Sequence, residues 1–376
     1  MDFIIFVWKY IIPFLFILTV LVFIHEMGHF WVARRNQVRV EVFSVGFGPE
    51  IYGWTDRLGT RWKISAVPLG GYVKMFGEND GGEDGKAPLT PEERAVSFQH
   101  KRLGQRTAIV AAGPLANYLF AIVVLAGLYS ISGIPRPMAA VGEVVAGSAA
   151  EQADIRPGDR ILSIDGTDID WFEDLRRIVM GKPGVPLELN ILRDGTRLSV
   201  KATPQAVEVG GESGGATTVG RLGVKPDPNH VSHERQNPLK ALWMGVERSV
   251  SMTGQILSYV GQIFTGKQNA DQLGGPLRIA QMSGAICQGG LVECTFFMAA
   301  LSINLGLINL FPIPMLDGGH LAFYIAEAIR GRPLGPRTQE YGFRFGLILV
   351  LLLMIFATWN DLVQLEVFEF LKDLIT

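Results

Sequence analysis

Four stretches of the chain are apolar over a long run: about Ile4 to Ala33, 108–134, 296–316 and 345–359. A helix that crosses a bilayer needs roughly 20 apolar residues. The first three runs meet that length, and the fourth meets it by borrowing flanking residues. A weaker run, 321–329, reads as a continuation or an interfacial helix. The period changes between the second and third runs. Over 139–204, short apolar strands such as "RILSIDG" and "PLELNILRDG" alternate with Gly and Asp turns, and "WFEDLRRIVMG" has helical spacing. Residues 40–76 also alternate and read as hairpins, forming either a cytoplasmic sheet or a hairpin that dips into the membrane. Residues 79–95 read as a polar loop, 207–218 as a flexible stretch, and 237–290 as amphipathic helices lying on the outer surface. The fold class is therefore a polytopic α-helical membrane protein with about four transmembrane helices, a membrane-associated β element and one inserted β-rich domain. The expected divisions are 1–134 and 291–376 for the two halves of a membrane core, 135–226 for the inserted domain and 227–290 for a helical connector.

Composition narrows the class further. The chain has 376 residues, a net charge of −2 and a mean hydropathy of +0.26. That charge gives no reason to expect nucleic acid as a partner; the expected surroundings are a lipid bilayer. Two cysteines, Cys287 and Cys294, exclude a disulfide-built scaffold and read equally well as one disulfide or two buried thiols. The N-terminal run lacks a basic segment and a small-residue cleavage site, so it reads as a retained span. Basic residues cluster after the first run (Arg34, Arg35, Arg39), before the second (Lys101, Arg102, Arg106) and between the last two (Arg330, Arg332, Arg337, Arg344). The positive-inside rule makes these loops cytoplasmic. Both termini and residues 135–290 then lie outside, which in a bacterium is the periplasm.

The chemistry starts at "HEMGH". On a helix, His25 and His29 share a face and can point at one metal, and Glu26 beside them can act as general base and later protonate a leaving amine. A catalytic zinc takes three protein ligands and keeps a fourth position open, so two histidines are too few. Imidazoles and a carboxylate inside an apolar span are expensive and by default functional. A third ligand is offered by "NLFPIPMLDGGH", where Asp317 is the only carboxylate after a long uncharged run and Pro312 and Pro314 break the helix. Under the derived orientation both motif ends lie near the cytoplasmic side. His320, three after Asp317, reads as a loop-end histidine, with a place supporting the metal ligands as the alternative, and His100, His230 and His233 read as solvated.

His-Glu-x-x-His in the first span with Asn-x-x-Pro-x-Pro-x-Leu-Asp-Gly in the third resembles the site-2 protease family of intramembrane zinc metalloproteases. "GPLAN", Gly113 to Asn117, and the inserted segment resemble its bacterial regulator of sigma-E protease branch. The run 147–169 resembles a PDZ domain, in which Gly220, Leu222, Gly223 and Val224 would form the loop that receives a peptide C-terminus; a steric spacer without ligand is the alternative. The resemblance implies one zinc per chain on His25, His29 and Asp317, with Glu26 as base. It implies substrate contacts from Asn309 and Asn304 and a strand-presenting element around Gly70, Gly71 and Tyr72. It also implies a multi-pass enzyme of the bacterial inner membrane that cuts single-span proteins after a first cut elsewhere, such as anti-sigma factors or remnant signal peptides. Many members of that branch carry two PDZ domains, and this chain shows one. The competing classes are a membrane PDZ scaffold with a vestigial metal site and a transporter, which would need an inverted repeat that the sequence lacks.

Overall fold

The computed structural model describes residues 5–78, 89–210, 216–266, 268 and 274–364. The expected loop at 79–95, the flexible stretch at 207–218 and both termini therefore lie partly or wholly outside the described residues. The chain divides into two compact units, Met1–Leu128 together with Pro238–Thr376, and Tyr129–Asn237.

The first unit is helical around one β element. Helix α1 (Ile12–Arg35) follows a π-helical opening at Val7–Ile11. Its sequence is apolar on all sides, as a helix surrounded by helices or lipid must be. It stops where Gln37 turns to φ +58° and the Asn36 amide donates back to the Val32 carbonyl. Strands β1 (Val40–Thr55) and β2 (Arg61–Met75) follow, then the short α2 (Pro91–Val96) and the long α3 (Leu103–Ile131). After the second unit the chain continues through α6 (Pro238–Phe264), α7 (Pro276–Gly289), α8 (Leu291–Leu310), α9 (Asp317–Arg330) and α10 (Pro336–Gln364). Four helices are long and apolar enough to cross a membrane, at Val7–Arg35, Leu103–Ile131, Leu291–Leu310 and Arg337–Gln364. The run at 321–329 belongs to α9, a separate helix.

Both strands of the hairpin bend, and each supplies two arms. Residues 40–45 pair on one side with 71–75 and on the other with 61–64, while 50–55 pair with 61–65. The order across the element is thus 71–75, 40–45, 61–65, 50–55, with 71–75 at one edge. Phe30 of α1 packs edge-on against Phe43 and Trp62, which seats the element on the helix. The Arg34 guanidinium reaches Asp56 at 2.5 Å, and the Trp62 indole donates to the same carboxylate at 3.1 Å. Burial opposes the Asp56 charge, but the Trp62, Thr60 and Arg34 donors outweigh it and hold the carboxyl below the usual range.

The connector after the second unit is helical as expected, but α6 does not lie apart on a surface. It runs along α3: a methyl at Gly245 would come within 2.8 Å of the Ile122 carbonyl, and Thr253 Oγ1 meets the Tyr118 hydroxyl at 3.1 Å. The reason is a stripe of small residues four apart. Ser249 and Thr253 donate to the Gly245 and Ser249 carbonyls of their own helix, so their hydroxyls need no water. Helix α7 packs on the start of α1, where Gly284 abuts the Lys9 carbonyl and Tyr10. Asp361 of α10 accepts from the N–H groups of Gly275, Leu277 and Arg278 and so caps α7. Cys287 and Cys294 form a disulfide across the α7–α8 joint.

The second unit contains β3 (Ile134–Pro137), β4 (Val141–Val144), α4 (Ala149–Gln152), β5 (Arg160–Ile164), β6 (Thr167–Asp168), α5 (Phe172–Met180), β7 (Leu187–Arg193), β8 (Thr196–Ala202), β9 (Gln205–Gly210), β10 (Ala216–Arg221), β11 (Val224–Pro226) and β12 (Val231–Glu234). A four-stranded antiparallel sheet runs β6–β5–β7–β8, and β11 pairs with β4. Alternate residues Leu187, Leu189 and Ile191 enter the core with Ile161, Ile164 and Leu175. Strands β3 and β12 pair where the chain enters and leaves.

Candidate metal centre

The middle of α1 brings His25 and His29 to one face by their spacing of four, and both side chains are buried. The partner carboxylate comes from the far end of the sequence. Helix α8 ends at Leu310 because Pro312 and Pro314 cannot continue it, and α9 begins at Asp317. The link is tight: Met315 holds φ +95°, and a methyl at Gly318 would meet the carbonyls of Phe311 and Leu310 at 2.2 and 2.4 Å. A non-glycine residue at positive φ is strained by about 1–3 kcal/mol and persists only where its surroundings force it.

His25, His29 and Asp317 each offer one ligand atom, and these atoms lie within 4.8 Å of one another. His25 Nε2 is 3.2 Å from His29 Nε2 and 3.1 Å from Asp317 Oδ2, and His29 Nε2 is 3.5 Å from Asp317 Oδ2. A tetrahedral zinc with bonds of roughly 2.0–2.1 Å sets its donor atoms about 3.3 Å apart. The three separations bracket that value. Asp317 Oδ2 is buried, and among the described residues its only polar neighbours are the two imidazoles, the groups that would share a metal with it. A buried carboxylate oxygen without a donor is costly unless a cation serves it. His29 Nδ1 is 2.9 Å from the Ile109 carbonyl. That bond fixes the proton on Nδ1 and turns the lone pair of Nε2 toward Asp317. The donor set therefore fits zinc.

Space for the ion is provided by α3. A methyl at Gly113 would lie 2.2 Å from His29 Nε2 and 2.9 Å from His25 Cε1. Any side chain there would fill the place where the ligands meet. Glu26, next in sequence to His25, faces a cavity of about 780 Å³ that His25, His29 and Asp317 also line. The edge arm of β2 forms another wall, through Tyr72, Val73 and Met75. Gly71 lets this arm close on α1: a methyl there would be 2.9 Å from Val22 and 3.4 Å from Glu26 Cγ. No strand pairs with the outer side of that arm among the described residues.

The structure brings His25, Glu26, His29, Asp317, Asn309 and Tyr72 to one cavity. Gly71 lies beside Glu26, and Gly70 sits under the Phe47 ring with φ +131°. Asn304 stands further along α8 and does not line the cavity. His320 departs from its expected place at a loop end. It lies in the first turn of α9, lines the cavity and packs on Phe343 at 5.1 Å between ring centres. The open solvent-facing positions of His100, His230 and His233 agree with expectation. In the second unit the Leu222 and Gly223 carbonyls accept from Ala150 and Val145, Gly220 rests against the Val179 carbonyl of α5, and Val224 pairs with Val144. The N–H groups of Leu222 and Gly223 have no partner among the described residues. Composition and period did not point to Gly113 or Met315 as parts of the site. The signal at Gly113 is the Gly113–Asn117 segment that carries the family resemblance, which says nothing of its contact with the histidines.

Residues 13–353 match the sequence model of peptidase family M50, the site-2 proteases. A relative from Rhizobium meliloti, named "Putative zinc metalloprotease R01501", is 46% identical over 361 residues, covering 94% of this chain and 96% of that protein. A relative of the same description from Agrobacterium fabrum is 44% identical over 366 residues, covering 96% of this chain and 97% of its own. Metalloprotease MmpA of Caulobacter vibrioides is 37% identical over 398 residues, covering 97% and 98%. The family and these names imply zinc as the cofactor, in agreement with the donor set. The chain belongs to peptidase family M50.

Proposed function

We propose that the protein is an intramembrane zinc endopeptidase that cuts the membrane-spanning segment of single-span proteins. His25, His29 and Asp317 hold one zinc ion, which supplies a Lewis acid that activates water and polarises the scissile carbonyl. Glu26 takes the proton of the attacking water and delivers it to the departing amine. The reading is carried by one observation: three donors at zinc spacing, with Glu26, on the wall of a cavity bounded by a strand edge. A peptide bond inside a membrane helix is locked by internal hydrogen bonds. Substrate backbone laid along the free side of residues 69–73, with Gly70, Gly71 and Tyr72 at its centre, regains those bonds while exposing the scissile group. Asn309, which lines the cavity, donates to the substrate backbone or to the developing oxyanion.

The four apolar helices cross the bacterial inner membrane with the metal centre toward the cytoplasm and with both termini and the second unit in the periplasm. The flanking Arg and Lys residues support that orientation, and so does the Cys287–Cys294 disulfide, which an oxidising compartment permits. The second unit acts as a PDZ domain whose Gly220, Leu222, Gly223 and Val224 loop receives a new peptide C-terminus. The substrates are proteins already shortened by another protease, of the anti-sigma factor or remnant signal peptide kind. The test is cleavage of a tagged, truncated single-span substrate by the purified protein in detergent, with Glu26→Gln as comparison and zinc measured on both. The expected result is zinc on both and cleavage by wild type alone, with a loss of at least about 10²-fold in the variant. Equal cleavage by both, or zinc without cleavage by wild type, would overturn the reading.

A further inference from the structure

Asn117 is fully buried on α3, and its side chain touches the metal centre from behind: Nδ2 lies 3.2 Å from His25 Nδ1. Its Oδ1 is buried without a hydrogen-bond partner. In this arrangement the amide donates to His25 Nδ1, which leaves the imidazole proton on Nε2, the atom that faces Asp317 at 3.1 Å. That tautomer suits a histidine next to a bare carboxylate. It is the wrong one for a zinc ligand, because Nε2 must then offer a lone pair and Nδ1 must carry the proton. His29 already meets the requirement, since its Nδ1 faces the Ile109 carbonyl, which can only accept. His25 has no such acceptor unless the amide of Asn117 rotates by half a turn. That one rotation gives His25 Nδ1–H an acceptor and gives the orphaned Oδ1 a donor.

Resting on the reading of His25 as a zinc ligand, we propose that Asn117 is a positioning residue whose Oδ1 accepts from His25 Nδ1–H and thereby sets the tautomer that binds zinc. The backbone around it is held for this task. Ser302 of α8, itself fully buried, donates to the Asn117 carbonyl at 2.9 Å, and Gly306 lets α8 approach the Pro114 carbonyl. The side chain can therefore turn while its Cα stays in place. Hydrogen-bond partners that orient a metal-bound histidine are typically worth about 10–100-fold in metal affinity. The chemistry required at this position is an acceptor, and the donor half of the amide is dispensable.

That asymmetry separates the proposal from a packing role. Zinc affinity is measured by chelator competition on the full-length protein in detergent for wild type, Asn117→Asp, Asn117→Leu, Asn117→Ala and His25→Ala, with gel filtration and helix content as checks of folding. The expected result is a loss of about 10–100-fold for the Leu and Ala variants, while the Asp variant, which keeps the acceptor and discards the donor, stays within about threefold of wild type or binds more tightly. Cobalt substitution should show the same four-coordinate absorption in wild type and Asn117→Asp. An Asp variant as weak as the Leu variant would overturn the proposal, because a donor or mere packing would then be what matters; so would a well-folded Ala variant that binds zinc like wild type. Zinc bound by wild type and equally by His25→Ala would instead defeat the assignment of His25, a separable failure.

Discussion

Asp159 of the second unit and Asp317 of the first are both carboxylates in apolar surroundings, and they are treated differently. Asp159 is 0% exposed, yet Arg193 meets it with two bonds of 2.7 and 2.8 Å and the Arg156 N–H adds a third at 2.8 Å. Among the described residues Asp317 Oδ2 meets no guanidinium, amide or backbone N–H, and its polar neighbours are the two imidazoles at 3.1 and 3.5 Å. Of the four buried side-chain atoms without a partner among the described residues, Asp317 Oδ2, Asn117 Oδ1 and Arg106 Nε lie in the helical unit, and the first two touch His25 or its neighbours. The β-rich unit leaves one such atom, Arg160 Nε, but it meets its buried carboxylate in full. In the helical unit two of the three, Asp317 Oδ2 and Asn117 Oδ1, lie around His25, where a cation fits. An unsatisfied buried group is most informative when the rest of the molecule has so few.

The sharpest way to break the comparison is Gly113→Ala. Its methyl would stand 2.2 Å from His29 Nε2, so zinc binding and cleavage should both fall by more than about 10²-fold, as expected when ligands lose their geometry. Gly127→Ala on the same helix, with nothing within 4 Å, is the control and should leave both unchanged. Next in size is Asp159→Asn, which weakens the Arg193 pair while Arg193 keeps its bonds to Asp154, and which should destabilise the second unit by about 1–3 kcal/mol while zinc content stays at the wild-type level. Limited proteolysis beside zinc analysis reads both quantities. Asp361→Ala removes a cap that serves three backbone N–H groups and should lower thermal stability by about 1–2 kcal/mol in detergent. The smallest effect belongs to Asp56. Its folded-state pKa is depressed, so its contribution is complete above the ordinary value of about 3.9 and fades only as pH falls through the lower folded one. Lowering the pH from 7 to 5 should therefore leave the hairpin's protection against hydrogen exchange unchanged, and Asp56→Asn should reduce it at both.

Much of this was legible from the sequence, for reasons that differ between the units. In the second unit the period-two runs around Ile161 and Leu189 name their own core, because alternation marks the buried face of each strand, although the β5–β7 pairing across α5 is not local. In the first, the spacing of His25 and His29 fixes a shared helix face, and the isolation of Asp317 among apolar residues marks it. The edge arm at 71–75 was not legible as an edge, since alternation reports faces but not which side of a strand is paired. Helix α6 was misplaced because Ser249 and Thr253 count as polar in any pattern, whereas their hydroxyls are satisfied by the helix itself. His320 was misread because "DGGH" looks like a turn. The glycines there serve close packing against the Leu310, Phe311 and Ile313 carbonyls, and the helix starts at once. The role of Gly113 follows only from α3 meeting α1, a contact that no local pattern encodes.

The most direct test of the account is the zinc content of the purified full-length chain with and without Asp317, the ligand that only the fold brings to the two histidines. Wild type should hold about one zinc per chain and Asp317→Ala essentially none at the same free-zinc concentration, with both eluting as the same folded species. Equal zinc in the two proteins would contradict the account, because the site would then not be the one that His25, His29 and Asp317 form together.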